Sequence, residues 1–132
     1  MAILDVLGTQ LQTAGIGTLG TNLMLGRLPD DPDVCVALFE SAGMNPSHVM
    51  GSSIYGVDRP RLRVMCRAAR LDYPAARTKA ETVRASLGAI RDLTVSGIKI
   101  MAVLSTSELY PVRFDPDDRP VIGCDFTVWI AE

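Results

Sequence analysis

Residues 26–40, GRLPDDPDVCVALFE, decide the fold. The apolar run Leu23–Leu28 reads as a brief strand that Pro29 ends. Pro29-Asp30-Asp31-Pro32-Asp33 is then a turn, because two prolines withhold backbone donors and block both helix and ladder. Val34–Phe39 follows as an unbroken apolar run containing two valines and a phenylalanine, which suits a strand covered on both faces. A strand, an acidic turn and a buried strand make a small sheet, and no catalytic constellation sits among them.

Working outward, Glu40–Val57 reads as a loop, with Gly43, Pro46, Gly51, Gly56 and the pair Ser52-Ser53. A loop of that length in a compact domain implies a functional segment, or one that orders on contact with a partner. Arg59–Ala69 alternates: Leu62, Val64, Cys66 and Ala68 face one way, and Arg61, Arg63, Met65 and Arg67 the other. Three arginines on one strand face repel each other unless acid lies opposite. Asp125 could serve one of them within the chain; a neighbouring subunit could serve the others, since the arginine fork suits carboxylates.

Upstream, Ile3, Leu4, Leu7, Leu11 and Ala14 recur at helical spacing, predicting a helix over 2–14 that Gly15 stops. Downstream, Asp72 caps a second helix, Pro74 fits its first turn, and Tyr73, Ala76, Ala80, Val83, Leu87 and Ile90 form its apolar stripe. Arg77 and Glu81 lie one turn apart on its polar side. Ser96-Gly97 reverses the chain into Ile98–Ser107, where Ile98, Ile100, Ala102 and Leu104 are expected to share a face. Phe114–Arg119, FDPDDR, is a second acidic turn. The closing strand Val121–Ile130 points Ile122, Cys124, Phe126, Val128 and Ile130 at the core. The expected fold is α+β, a mostly antiparallel β-sheet of about five strands with two α-helices packed on one face, in a single domain over 1–132.

The 132 residues are enough for one substantial core, and 48% apolar with 21% charged residues excludes a disordered chain. A net charge of −2 argues against a general nucleic-acid or membrane binder, while leaving local basic faces open. The opening MAILDVLG lacks the basic flank of a secretory signal, and glycines and amides interrupt Val6–Gly26 before it could span a membrane. Synthesis in the cytoplasm is the expectation. Cys35, Cys66 and Cys124 are odd in number, form no CxxC pair and read as buried thiols.

Gly15-Ile16-Gly17-Thr18-Leu19-Gly20 spells GxGxxG, but a helix precedes it and no helix follows, the reverse of a dinucleotide site. It reads as a flexible connector, and no cofactor is expected. His48, the single histidine, lies near Ser47, Ser52 and Ser53; a small hydrolase would have to run through it, and a solvated loop residue is the plainer reading. One histidine with scattered cysteines gives no zinc spacing. The acidic turns, Asp30/Asp31/Asp33 and Asp115/Asp117/Asp118, lack the register of a calcium loop. They read as solvated turns or as electrostatic partners for another subunit. Nucleic-acid contact through the arginine strand is disfavoured because no aromatic residue interleaves with it. Catalytic, cofactor and metal residues are therefore not assigned.

The pattern LGRLPDDPDVCVALFESAG, then DRPRLRVMCRAA running into DYPAARTKAETVRASL and ending in FDPDDRPVIGCDFTVWI, resembles the tail-terminator family of tailed bacteriophages, often labelled minor capsid proteins. The likeness spans nearly the whole chain, with Pro116 standing where the family has a glycine-containing step. It implies a non-enzymatic virion protein at the head–tail junction. Such a protein forms a homo-hexameric ring on the tail tube protein, stops tube polymerisation and presents a surface to the head–tail connector. Passing contact with DNA in the lumen belongs to that picture; a head-completion or connector-joining protein is the alternative. Rings need one patch to meet a different patch on the next subunit. Arg61, Arg63 and Arg67 on one side, and Asp30, Asp31, Asp33, Asp115, Asp117 and Asp118 on the other, are the expected interface.

Overall fold

The computed structural model describes residues 3–30, 33–48, 55–95 and 98–131. Helix α1 spans Ile3–Thr13 and buries Leu4, Val6, Leu7 and Leu11. It closes in a Schellman motif: Ile16 N–H donates to Leu11 O and Gly15 N–H to Gln12 O. Gly15 takes the left-handed position at φ +84°, and the buried Ile16 seals the helix end. The first glycine of the GxGxxG letters therefore serves as a helix stop. The segment after it is held by backbone bonds such as Asn22 N–H to Thr18 O and Gly20 N–H to Leu23 O, rather than left as a loose connector.

Among the described residues the sheet has seven strands. Strand β1 (Leu23–Leu25) pairs in parallel with β2 (Cys35–His48), which pairs antiparallel with β3 (Tyr55–Arg67). After β3 the chain forms α2 (Tyr73–Gly88), β4 (Arg91–Val95), β5 (Ile98–Ser105), β6 (Tyr110–Phe114) and β7 (Pro120–Ala131). The spatial order is β1-β2-β3-β7-β5-β4, with β6 joined to β7 beside that path. One edge of β7 lies along β3; the other takes β6 at 120–123 and β5 at 126–131. The α+β expectation holds, but the sheet is mixed and has seven strands rather than five antiparallel ones.

Both helices pack on one face. Leu7 and Leu11 of α1, and Ala76, Ala80, Val83 and Leu87 of α2, share one core cluster with Leu38, Leu62, Val64, Ile122, Phe126 and Val128 of the strands. Asp72 caps α2 by accepting from Ala75 N–H, and Arg77 pairs with Glu81 at 3.5 Å. The three cysteines are free and buried, and burial pushes the Cys66 thiol up to about 12.

Three local expectations are corrected. Glu40–Val57 is not one loop: β2 continues to His48 and β3 begins at Tyr55, with His48 paired to Tyr55. Register shifts between Ser41 and Met44, and again between Met44 and Ser47, carry the strand past glycine and proline as β-bulges do. Residues 49–54, including Ser52 and Ser53, lie outside the described residues. In β5 a register shift between Ile100 and Ala102 breaks the expected alternation, so Val103 is buried and Leu104 is 43% exposed. Leu23–Leu28 shortens to Leu23–Leu25, where Gly26 N–H closes onto Leu38 O. The Ser96-Gly97 reversal also lies outside the described residues, although Val95 and Ile98 pair on either side of it.

Candidate subunit interface

The two acidic turns, far apart in sequence, meet on one side chain that the sequence reading did not single out. The Arg119 side chain is only 6% exposed. Its Nε donates to Asp115 Oδ2 at 2.7 Å, Nη1 to Asp33 Oδ1 at 3.0 Å and to Asp30 O, and Nη2 to Asp30 Oδ1 at 2.6 Å. Asp117 Oδ2 lies 3.4 Å from Nη2. Burial alone would favour losing the Arg119 proton, but the bonds to Asp30, Asp33 and Asp115 outweigh it and raise its hold on the proton. The rigid fork suits several carboxylates at once, which an ammonium would not.

The turn presenting Arg119 is built for the task. Asp118 N–H donates to Asp115 O at 2.9 Å and Asp115 N–H to Arg119 O at 3.0 Å, closing a turn with Pro116 at its second position. Asp118 occupies the left-handed region at φ +59°, where an acidic residue is tolerated better than a bulky one. Pro116 thus fits where a glycine step was expected. Asp115 Oδ1 accepts from Asp117 N–H and Arg119 N–H at 3.0 and 2.9 Å. Its burial would raise the carboxyl, yet the hydrogen bonds from Arg119 and Asp117 win and hold it below the usual carboxylate range.

This lobe is not uniformly solvated. Asp30, Asp33, Asp117 and Asp118 keep side-chain exposures of 88%, 63%, 69% and 56%, whereas Asp115 keeps 8%. Asp118 pairs with Arg70 at 3.6 Å, and both are exposed enough for that bridge to add little. Asp31 lies outside the described residues.

The arginine strand divides in two. Arg67 is buried and donates to Asp33 O at 2.9 Å, so it props the acidic lobe from beneath rather than facing outward. Alternation on β3 placed it correctly, but the segment following β1 covers that end of the sheet, where Met24, Cys35 and Ala37 form a second small cluster with Leu28 and Phe39. Arg63 is exposed and bonds Asp125 Oδ1 at 3.0 Å, the internal pairing foreseen for one arginine. Tyr110 OH donates to the same Oδ1 at 3.2 Å. Burial first, then the neighbouring Asp125 charge, push the Tyr110 phenol up.

Arg61 is exposed, opposite Ser41 and Thr127, and has no ion pair among the described residues. Arg59 stacks over the Trp129 ring at 5.4 Å from its centroid. Register places Leu104 across Thr127 from Arg61, and Lys99 across Ala131 from Val57, on the face the helices leave bare. The aromatic residue thus accompanies Arg59, which lies outside the set Arg61, Arg63 and Arg67. Acid thus gathers at one end of β3 and base toward the other, with Arg59 and Arg67 roughly 27 Å apart along the strand.

His48 ends β2, and no cluster of His, Cys, Asp or Glu among the described residues has an arrangement that could hold a metal ion. No helix among the described residues is long and apolar enough to cross a membrane.

The family model for the bacteriophage tail terminator protein matches residues 10–128, and the chain belongs to that family. It is a phage tail structural protein, associated with the virion. A similar solved structure is a chain of the virion of a native gene transfer agent particle, with a TM-score of 0.71 and 17% identity. That match covers 99% of this chain and 96% of the other, and at this identity it establishes the shared fold. No curated protein matches.

Proposed function

We propose that this chain caps the end of the phage tail tube as a homo-hexameric ring, stops tube polymerisation and supplies the joining surface for the head–tail connector. The observation that carries this reading beyond family membership is the separation of charge on one sheet. An acidic lobe built on Asp30, Asp33, Asp115, Asp117 and Asp118 stands at one end, and a basic bare face with Arg61 and Arg63 stands toward the other. Two different, complementary patches favour head-to-tail association, the kind that closes into rings. A flat self-complementary patch would favour a dimer instead.

In this reading Arg67 contributes by holding Asp33 in place, and the tube protein and head connector meet the two ends of the ring. DNA passes through the lumen during ejection. The chain is made in the host cytoplasm and has no catalytic turnover. The test uses purified protein added to polymerising tube protein, imaged by negative stain. Tubes that stop growing and carry extra density at one end agree with capping. Unaltered tube growth, with the protein binding only purified heads, would favour the head-completion reading.

A further inference from the structure

Among the described residues, the exposed large hydrophobic side chains are Val34, Leu71, Leu104 and Phe114, at 46%, 67%, 43% and 52%. Three of them stand around Arg119. Val34 follows Asp33, and Phe114 precedes Asp115 and pairs with Pro120. Leu71 N–H donates to Asp118 O at 2.9 Å, which binds its backbone to the same turn. The fourth, Leu104, lies in the basic face, across Thr127 from Arg61.

Leu71 carries a second signal. Its φ is +60°, a region costly for a bulky residue, and the turn bond to Asp118 O holds it there with the side chain outward. A leucine that is both strained and solvated gains nothing for the folded monomer, and such strain gathers where a side chain is presented to a partner. Exposed apolar side chains gathered together and rimmed by polar residues mark interaction sites.

We infer that the Arg119 lobe of one copy docks on the bare sheet face of the next, with Leu71 and Phe114 as apolar anchors packing around Leu104. Resting on the ring reading above, it names the two surfaces and their chemistry. Charge selects the occupant: the lobe presents Asp30, Asp117 and Asp118, while the face presents Arg61, Lys99 and Arg63, the last of them paired with Asp125. Each surface has an apolar centre and a rim of opposite sign, so each fits a second copy of this chain. Arg119 sets the lobe's shape by fixing both turns on one guanidinium.

The experiment is a charge exchange in the full chain, read by native mass spectrometry and by end density on purified tail tubes. The lobe variant is Asp117→Lys with Asp118→Lys; the face variant is Arg61→Glu with Lys99→Glu. Each alone is expected to stay dissociated, because lobe and face then carry the same sign. An equimolar mixture is expected to restore alternating rings, since every contact again joins opposite charges. Leu71→Gly removes the anchor while suiting the left-handed backbone, so it should unfold no earlier than the parent yet raise the concentration for half-assembly at least about tenfold. Either charge variant assembling alone, or Leu71→Gly assembling normally, would overturn this contact and leave the ring reading standing. An unmodified chain that forms no ring in solution or on tubes would overturn both.

Discussion

Arg119 Nη2 bonds Asp30 Oδ1 at 2.6 Å across 89 positions of sequence, joining the turn before β7 to the turn before β2. The same guanidinium holds Asp33 and Asp115, so a buried cation organises acids from both turns. Removing such a centre leaves carboxylates facing one another without a counter-charge.

Arg119→Met should lower the thermal unfolding midpoint by several degrees, and Arg119→Lys should recover only part, because an ammonium cannot reproduce the planar fork. Circular dichroism melts of the three proteins check this. A methionine variant melting with the parent would mean that the ionic centre adds nothing over an apolar filler.

Asp115 gives a pH signature. Its folded carboxyl titrates below its unfolded value, so its contribution is complete above the ordinary carboxylate range and is lost as pH falls through the lower, folded value. Stability measured by urea denaturation should therefore fall on acidification below about pH 4. Asp115→Asn should flatten that decline while lowering stability at neutral pH. An unchanged acid slope in the variant would assign the decline to other carboxylates.

Gly123 lies beneath Tyr110 and Val112, and a Cβ there would stand 2.9 Å from Tyr110 Cε2 and from Val112 Cγ2. Gly123→Ala should cost about 1–3 kcal/mol, as overpacking does. The cost should shrink when Tyr110→Ala is made as well, because part of the obstruction is then gone. Equal costs in both backgrounds, measured by chemical denaturation, would rule out the Tyr110 ring as the obstruction.

The buried thiols offer a fourth check. With Cys66 pushed up to about 12 and Cys35 also raised by burial, little thiolate is present near neutral pH. Cys35, Cys66 and Cys124 should resist a thiol reagent such as Ellman's at pH 8 and react together once guanidinium unfolds the chain. Rapid labelling of one thiol in the native protein would contradict the packing around it.

Much of this architecture was legible in local pattern. Helix α2 carries its own cap and stripe in Asp72, Pro74, Ala76, Ala80, Val83 and Leu87, and the alternation in β3 and β7 marks their buried faces. Strands β4 and β6 were not legible. RDLTV is short, charged and directly behind a helix, and YPVRF carries a proline, so neither shows a period of its own. The register shift near Met101 moved Leu104 outward because one extra residue reverses every later side chain, and nothing local announces it.

Of the proposed interface, the acidic turns and the arginine face were visible, and their pairing pattern was not. The burial of Arg67 and Arg119 depends on segments brought together from distant sequence. Arg119 four residues after Asp115 in a turn with three aspartates was the one available signal. Its partners Asp30 and Asp33 come from the other end of the chain.

Electron microscopy of tail lengths in lysates of the parent phage with this gene deleted tests the central claim most directly. Termination predicts over-long tails unattached to heads, because nothing then stops tube growth. Tails of normal length beside DNA-filled, tailless heads would contradict termination and assign the chain to joining.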